Sequence, residues 1–173
     1  MRRIVYAVAA SLDGYVAGPE GEFDWIPMDP EIDFRALFAR FDTFLVGRRT
    51  YETTASQGGG GMFGKQTYVF SRTLGPEDHP EVTIVSEDVE QTVKGLREAP
   101  GKDIWLFGGG GLFQSLLGAG LVDAVEVSVV PVLLGGGVPL LPPPARRAKL
   151  TLTGHQVYAK TGIVSLEYAV GSP

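Results

Sequence analysis

The chain has 173 residues, 44% hydrophobic and 20% charged, a balance that suits one globular domain with a substantial core and excludes a disordered or fibrous chain. Its formal net charge of -5 argues against a nucleic-acid surface, because the basic pairs Arg2-Arg3, Arg48-Arg49 and Arg146-Arg147 are scattered along the chain and not clustered. Cysteine is absent, which excludes disulfides, a thiol nucleophile and thiolate metal sites, and neither His79 nor His155 sits in a metal-ligand pattern, so no metal is expected.

Met1-Arg2-Arg3 followed by Ile4 to Ala10 has the outline of a short secretory leader. The apolar stretch is at the lower limit for one, and Ile4-Val5-Tyr6-Ala7-Val8 reads as a first buried strand. No segment is long enough to span a membrane, and a cytoplasmic protein is expected. After a loop over Ser11 to Asp29, the spacing of Ile32, Leu37, Phe38 and Phe41 predicts a helix over Pro30 to Phe41. Thr43 to Val46 is a second strand, running into Gly47-Arg48-Arg49-Thr50, where Thr50 begins a helix. Gln66 to Ser71 and Val82 to Val85 are a third and a fourth strand.

Asp88-Val89-Glu90-Gln91 has the form of a capping box and opens a helix with Val89, Val93 and Leu96 on one face. Ile104 to Phe107 is a fifth strand, fit for burial on both faces, that ends in Gly108-Gly109-Gly110-Gly111 before a helix over Leu112 to Leu117. The last quarter, Ala124 to Val132, Leu150 to Tyr158 and Ile163 to Val170, is β-rich without intervening helix, and Pro142-Pro143-Pro144 reads as a rigid loop. Alternating strands and helices followed by strands alone predict an α/β fold with a central, mainly parallel mixed sheet and antiparallel C-terminal strands. A single domain over residues 1–173 is expected.

Gly59 to Gln66 nearly matches a P-loop, but Gln66 offers no metal-binding hydroxyl and the segment precedes a strand. No G-x-S-x-G elbow is present. The glycine run lacks the last glycine of a dinucleotide fingerprint, where Phe113 stands, and taken alone it is compatible with a plain strand-to-helix turn. It has company, however. Gly47-Arg48-Arg49-Thr50 and Ser71-Arg72-Thr73 are basic, hydroxyl-bearing segments that also follow strands, and an open parallel sheet gathers all three at its carboxyl edge. Solvated arginines would be the bland explanation; a dinucleotide with a 2′-phosphate explains the three together.

Ala10 to Ala17, Val46-Gly47-Arg48-Arg49-Thr50-Tyr51-Glu52, Val69 to Leu74, Phe107 to Leu112, and Gly120-Leu121-Val122-Asp123 followed by Val130 to Gly137 resemble, in order, the motifs of the dihydrofolate-reductase-like superfamily. The closest likeness is to its bacterial branch related to the reductase domain of riboflavin biosynthesis. This resemblance implies a three-layer fold with helices on both faces of the sheet and NADPH as hydride donor. Gly47, Arg48, Arg49 and Thr50 resemble the segment that meets the adenosine phosphates, and Ser71, Arg72 and Thr73 the adjacent strand end. Gly108, Gly109, Gly110, Gly111, Leu112 and Phe113, with Phe107 at their edge, resemble the pyrophosphate and nicotinamide loop. Ser11, Asp13 and Gly14 resemble the loop that covers the nicotinamide.

Two departures bear on the substrate. Glu31 and Asp33 lie near the place of the pterin-holding carboxylate of dihydrofolate reductases without matching its spacing, and Phe107 stands where riboflavin-pathway reductases usually carry a substrate-binding acid. The expectation is an NADPH-dependent reductase of a small heterocyclic (pteridine- or pyrimidine-like) or carbonyl substrate, with Asp33, Glu31 or a bound water as proton source. The alternative is a non-catalytic nucleotide- or ligand-binding module. The apolar run Val125 to Leu134 and the segment Val138 to Leu141 further suggest a homodimer, with no nucleic-acid or membrane partner.

Overall fold

β1 (Ile4–Ser11) is the centre of the molecule: its alternate side chains enter two cores, one on each side of an eight-stranded sheet. The computed structural model describes residues 1–171; Ser172 and Pro173, the last two of the expected domain, lie outside the described residues. With β3 (Phe41–Gly47), β4 (Gln66–Phe70), β5 (Thr83–Val85), β6 (Asp103–Gly108), β7 (Ala124–Val130), β9 (Leu150–Tyr158) and β10 (Ile163–Val170), the strand order is β5-β4-β3-β6-β1-β7-β10-β9. Neighbours from β5 to β7 are parallel, whereas β10 runs antiparallel to both β7 and β9, as the change of pattern along the sequence predicts. Strands such as Ile4-Val5-Tyr6 and Phe44-Leu45-Val46 are buried on both faces because helices cover both.

On one face α1 (Phe34–Ala39) and α2 (Arg48–Thr54) pack over Val5, Phe44, Val46 and Trp105. On the other, α3 (Val89–Glu98) and α4 (Gly110–Gly118) pack over Ile4, Tyr6, Leu45 and Leu106. Each fully buried Val, Leu, Ile or Phe contributes about 1.5–3 kcal/mol relative to exposure, so the two cores dominate stability. Among the described residues, no helix is long and apolar enough to cross a membrane.

Three local features depart from the sequence reading. The helix expected over Pro30 to Phe41 is only Phe34–Ala39, because the Asp33 carboxylate accepts the Ala36 N–H at 2.9 Å and starts it late. Asp88 does precede α3, but it adopts a left-handed φ of 51° and its side chain caps nothing, so the capping box is not made. β2 (Tyr15–Ala17), inside the stretch expected as loop, pairs with β8 (Val138–Pro139) in a small separate ribbon. Of the two segments expected to face a second subunit, Val125, Val127 and Val130 are core residues and Leu140 and Leu141 pack against the same core, whereas Leu133 and Val138 are exposed.

Candidate active site

β3 feeds through α2 to β4 on one side, while β6 feeds through α4 past β1 to β7 on the other. Connections that diverge from adjacent strands open a crevice at the carboxyl edge, and here it lies between β3 and β6. Gly47 and Gly109 stand at its base. A Cβ on Gly109 would lie 3.2 Å from the Cα of Gly47, and Gly109 has a φ of 100° that only glycine adopts without strain. The bare backbones of the two strand ends therefore touch, and α2 and α4 start side by side.

Helix α4 begins at Gly110, two residues earlier than the sequence predicts, so Gly110 and Gly111 present main-chain N–H groups of its first turn. Phe113 donates its N–H to the Gly109 carbonyl at 2.9 Å as the first closed turn. Its ring is buried and stacks on Tyr6 with centroids 3.8 Å apart. Phe113 is thus a core residue and not the cofactor contact expected of it, because its position in the first turn aims it under the helix. Leu112 likewise packs against that core.

Arg48, half-buried, and Arg49, exposed, sit in the first turn of α2 beside the glycines. Arg48 donates to Glu52 at 3.1 Å one turn on. Thr50 lies against Gly108, where a Cβ would come 2.7 Å from the Thr50 methyl, so its role is to seat the strand end. Ser71 follows β4, and its hydroxyl oxygen accepts the N–H groups of Thr73 and Leu74, both at 3.1 Å. That bond set shapes the turn and presents Arg72 in a shallow recess with Ser86, Glu87 and Asp88.

The Ser11 hydroxyl donates to Asp13 at 2.7 Å, and Asp13 accepts the N–H groups of Leu134 at 3.0 Å and Gly135 at 2.8 Å. These bonds, the Ser11 hydroxyl first, hold the Asp13 carboxyl below the usual carboxylate range. Gly14 turns the chain with a φ of 89°, and its carbonyl accepts the Leu140 N–H. The segment that resembles the nicotinamide-covering loop is therefore clasped to the loop after β7, and the Ser11 and Asp13 side chains are engaged there.

A groove of about 2040 Å³ runs from the glycines along the α1 face of the sheet. Ala7 and Ala9 leave its floor shallow, Phe107 and Phe63 line one flank, and Ser128 and Ser165 share a hydrogen bond of 2.8 Å on the other. Glu31 and Asp33 lie at its rim, Asp33 as the cap of α1 and Glu31 paired with Lys160 at 3.8 Å. Deeper in, Arg40 grips Glu126 through two bonds of 2.9 and 2.6 Å. Sequence reasoning missed this pair. Its one legible signal is a glutamate at the centre of the apolar run Ala124–Val130.

The glycine end, with Arg48, Arg49, Thr50 and Gly108 to Gly111, and the rim acids thus line one groove, while Arg72 occupies a separate recess and Ser11, Asp13 and Ser71 serve their own loops. Residues 2–164 match the model of the family described as the RibD C-terminal domain. The chain is 33% identical over 179 residues to the uncharacterized protein YyaP of Bacillus subtilis (strain 168), covering 96% of this chain and 94% of the relative. A crystal structure of a putative riboflavin biosynthesis protein from Shewanella sp. PV-4 superposes with a TM-score of 0.81 at 29% identity, over 99% of this chain and 100% of the other. Dihydrofolate reductase from Enterococcus faecalis complexed with NADP(H) superposes with a TM-score of 0.67 at 17% identity, over 98% and 97%. The last similarity establishes the dihydrofolate-reductase-like fold.

Proposed function

The chain belongs to the RibD C-terminal domain family, and we propose from that premise that it is a cytoplasmic, NADPH-dependent reductase of a small heterocyclic or carbonyl substrate. The observation that carries this reading is the contact of Gly47 with Gly109 at the divergence of β3 and β6, beside Arg48 and Arg49. Side chains there would block a diphosphate from the main-chain N–H groups at the start of α4; glycines admit it. The residues present therefore suit a dinucleotide. Gly108 to Leu112 would hold the pyrophosphate, and Arg48, Arg49 and Arg72 the adenosine phosphate, Arg72 from its own recess.

When bound, NADPH supplies a hydride, and the chain's own work is to place the acceptor and keep water away. Ala7, Ala9 and Phe107 give a flat bed for a planar acceptor next to the glycines. Tyr6 remains a neutral phenol, since burial pushes its pKa up. Asp33, Glu31 or a bound water would supply the proton that completes the reduction. A homodimer formed through the outer face of β9 accompanies this reading.

Titrating NADPH and NADH against the fluorescence of Trp105, which lines the groove, tests it. Saturable binding with NADPH preferred is the expected result. Absence of binding by either dinucleotide at millimolar concentration overturns the reading. Binding of NADPH without oxidation by any of a panel of aldehydes, pteridines and pyrimidines would favour the non-catalytic binding module.

A further inference from the structure

Between α1, α2 and β6 the groove is walled by phenylalanines. Phe107 stacks on Phe44 with centroids 5.3 Å apart and an interplanar angle of 21°. Phe63 meets Phe38 edge-on at 5.5 Å, and Phe34 completes the rim. Phe63 is 55% exposed and Phe34 40%, so neither ring is held here by burial.

The backbone gives Phe63 a conformation that its residue type does not favour. Its φ is 61°, and Met62 before it and Gly64 after it are also positive, at 40° and 71°. A bulky residue in the left-handed region is strained, and such strain collects at ligand clamps. Two anchors impose it. Met62 is fully buried. Lys65 donates to the carbonyls of Phe38 at 3.1 Å and Phe41 at 2.9 Å, tying this loop to the end of α1.

Charge defines what the aromatic section accepts. Among the described residues three arginines line the groove: Arg48 and Arg49 at the glycine end, and Arg40, which is bound through both ends of its guanidinium to Glu126. Glu31, Asp33, Glu126 and Glu167 line the remainder. A phosphate there would meet carboxylates and no free cation.

We propose that the acceptor is a planar, fused-ring aromatic molecule without a phosphate, gripped by Phe34, Phe38, Phe63 and Phe107. The proposal rests on the reductase reading: NADPH gives a hydride to an electrophilic carbon of the acceptor, a proton comes from water or a rim carboxyl, and NADP⁺ and the reduced acceptor leave.

The test uses 1-naphthol and 1-naphthyl phosphate, which share a ring and differ in the phosphate, each titrated with and without saturating NADP⁺. We expect 1-naphthol to bind at least tenfold more tightly than its phosphate to the NADP⁺-loaded protein. In Phe63→Gly, naphthol affinity should fall at least fivefold while NADP⁺ affinity and Tm are maintained, because glycine relaxes the backbone; Phe63→Trp should retain naphthol binding. Equal or tighter binding of the phosphate, or a Phe63→Gly variant unchanged toward naphthol, overturns the proposal. Failure of NADP⁺ to bind overturns the reductase reading instead, and the naphthol titrations without NADP⁺ then still decide the aromatic clamp.

Discussion

A Cβ placed on Gly109 would lie 3.2 Å from the Cα and 3.3 Å from the N of Gly47, whereas one placed on Gly47 would meet Gly109 no closer than 3.4 Å. The contact is therefore asymmetric toward substitution. Gly47 has an ordinary φ of -77°, and Gly109 one of 100°.

Gly109→Ala is accordingly expected to cost about 1–3 kcal/mol from backbone strain and crowding, lowering Tm by several degrees, and to abolish NADPH binding. Gly47→Ala should fold with nearly unchanged Tm. Thermal melts of the two variants check this, and equal destabilisation would mean that the strand ends do not meet as described.

Arg48 is predicted to discriminate between the two dinucleotides. Its guanidinium is held by Glu52 at 3.1 Å on a half-exposed helix surface, an ion pair worth little by itself. Arg48→Ala should raise the Kd for NADPH about tenfold, equivalent to roughly 1.4 kcal/mol, and leave NADH unaffected. Glu52→Gln frees the guanidinium and should tighten NADPH. Equal loss for both dinucleotides in Arg48→Ala would assign the arginine elsewhere.

The sheet and the glycine turn were legible because long apolar strands bounded by glycine carry their own signal. The β2–β8 ribbon was not, since elements of three and two residues have no periodicity to read. Phe113 was not legible because the two-residue offset in the start of α4 decides whether that position faces the crevice or the core. Phe63 could not be placed from sequence either: its exposure depends on Met62 and Lys65 anchoring the loop from both sides. The Arg40–Glu126 pair joins residues 86 apart in the chain, and only the folded sheet, with α1 laid on it, brings them together.

Asp13 makes part of the stability acid-sensitive. Its folded-state pKa is depressed by the Ser11 hydroxyl and the Leu134 and Gly135 N–H groups, while the unfolded value is about 3.9. The unfolded chain then binds the proton first as pH falls, so this contribution is full above about pH 4 and is lost as pH drops through the folded pKa. Asp13→Asn should lower stability at neutral pH and flatten the acid limb of a urea-melt series. An acid limb unchanged in Asp13→Asn would show that the clasp carries none of it.

The homodimer has a defined surface to test. β9 is an edge strand of the sheet, and Leu150, Leu152 and Val157 on it are 40%, 52% and 58% exposed. Val157 pairs with Val164 of β10 and points away from Gln156 and Tyr158, which line the groove, so an interface there leaves the candidate active site open. An unpaired edge with contiguous apolar side chains is a surface that proteins cover. Light scattering should give about twice the chain mass of 18.5 kDa for the unaltered protein. Val157→Glu should give the monomer mass with NADPH affinity retained. A monomer before substitution rules the dimer out, and a dimer that survives Val157→Glu places the interface on another face.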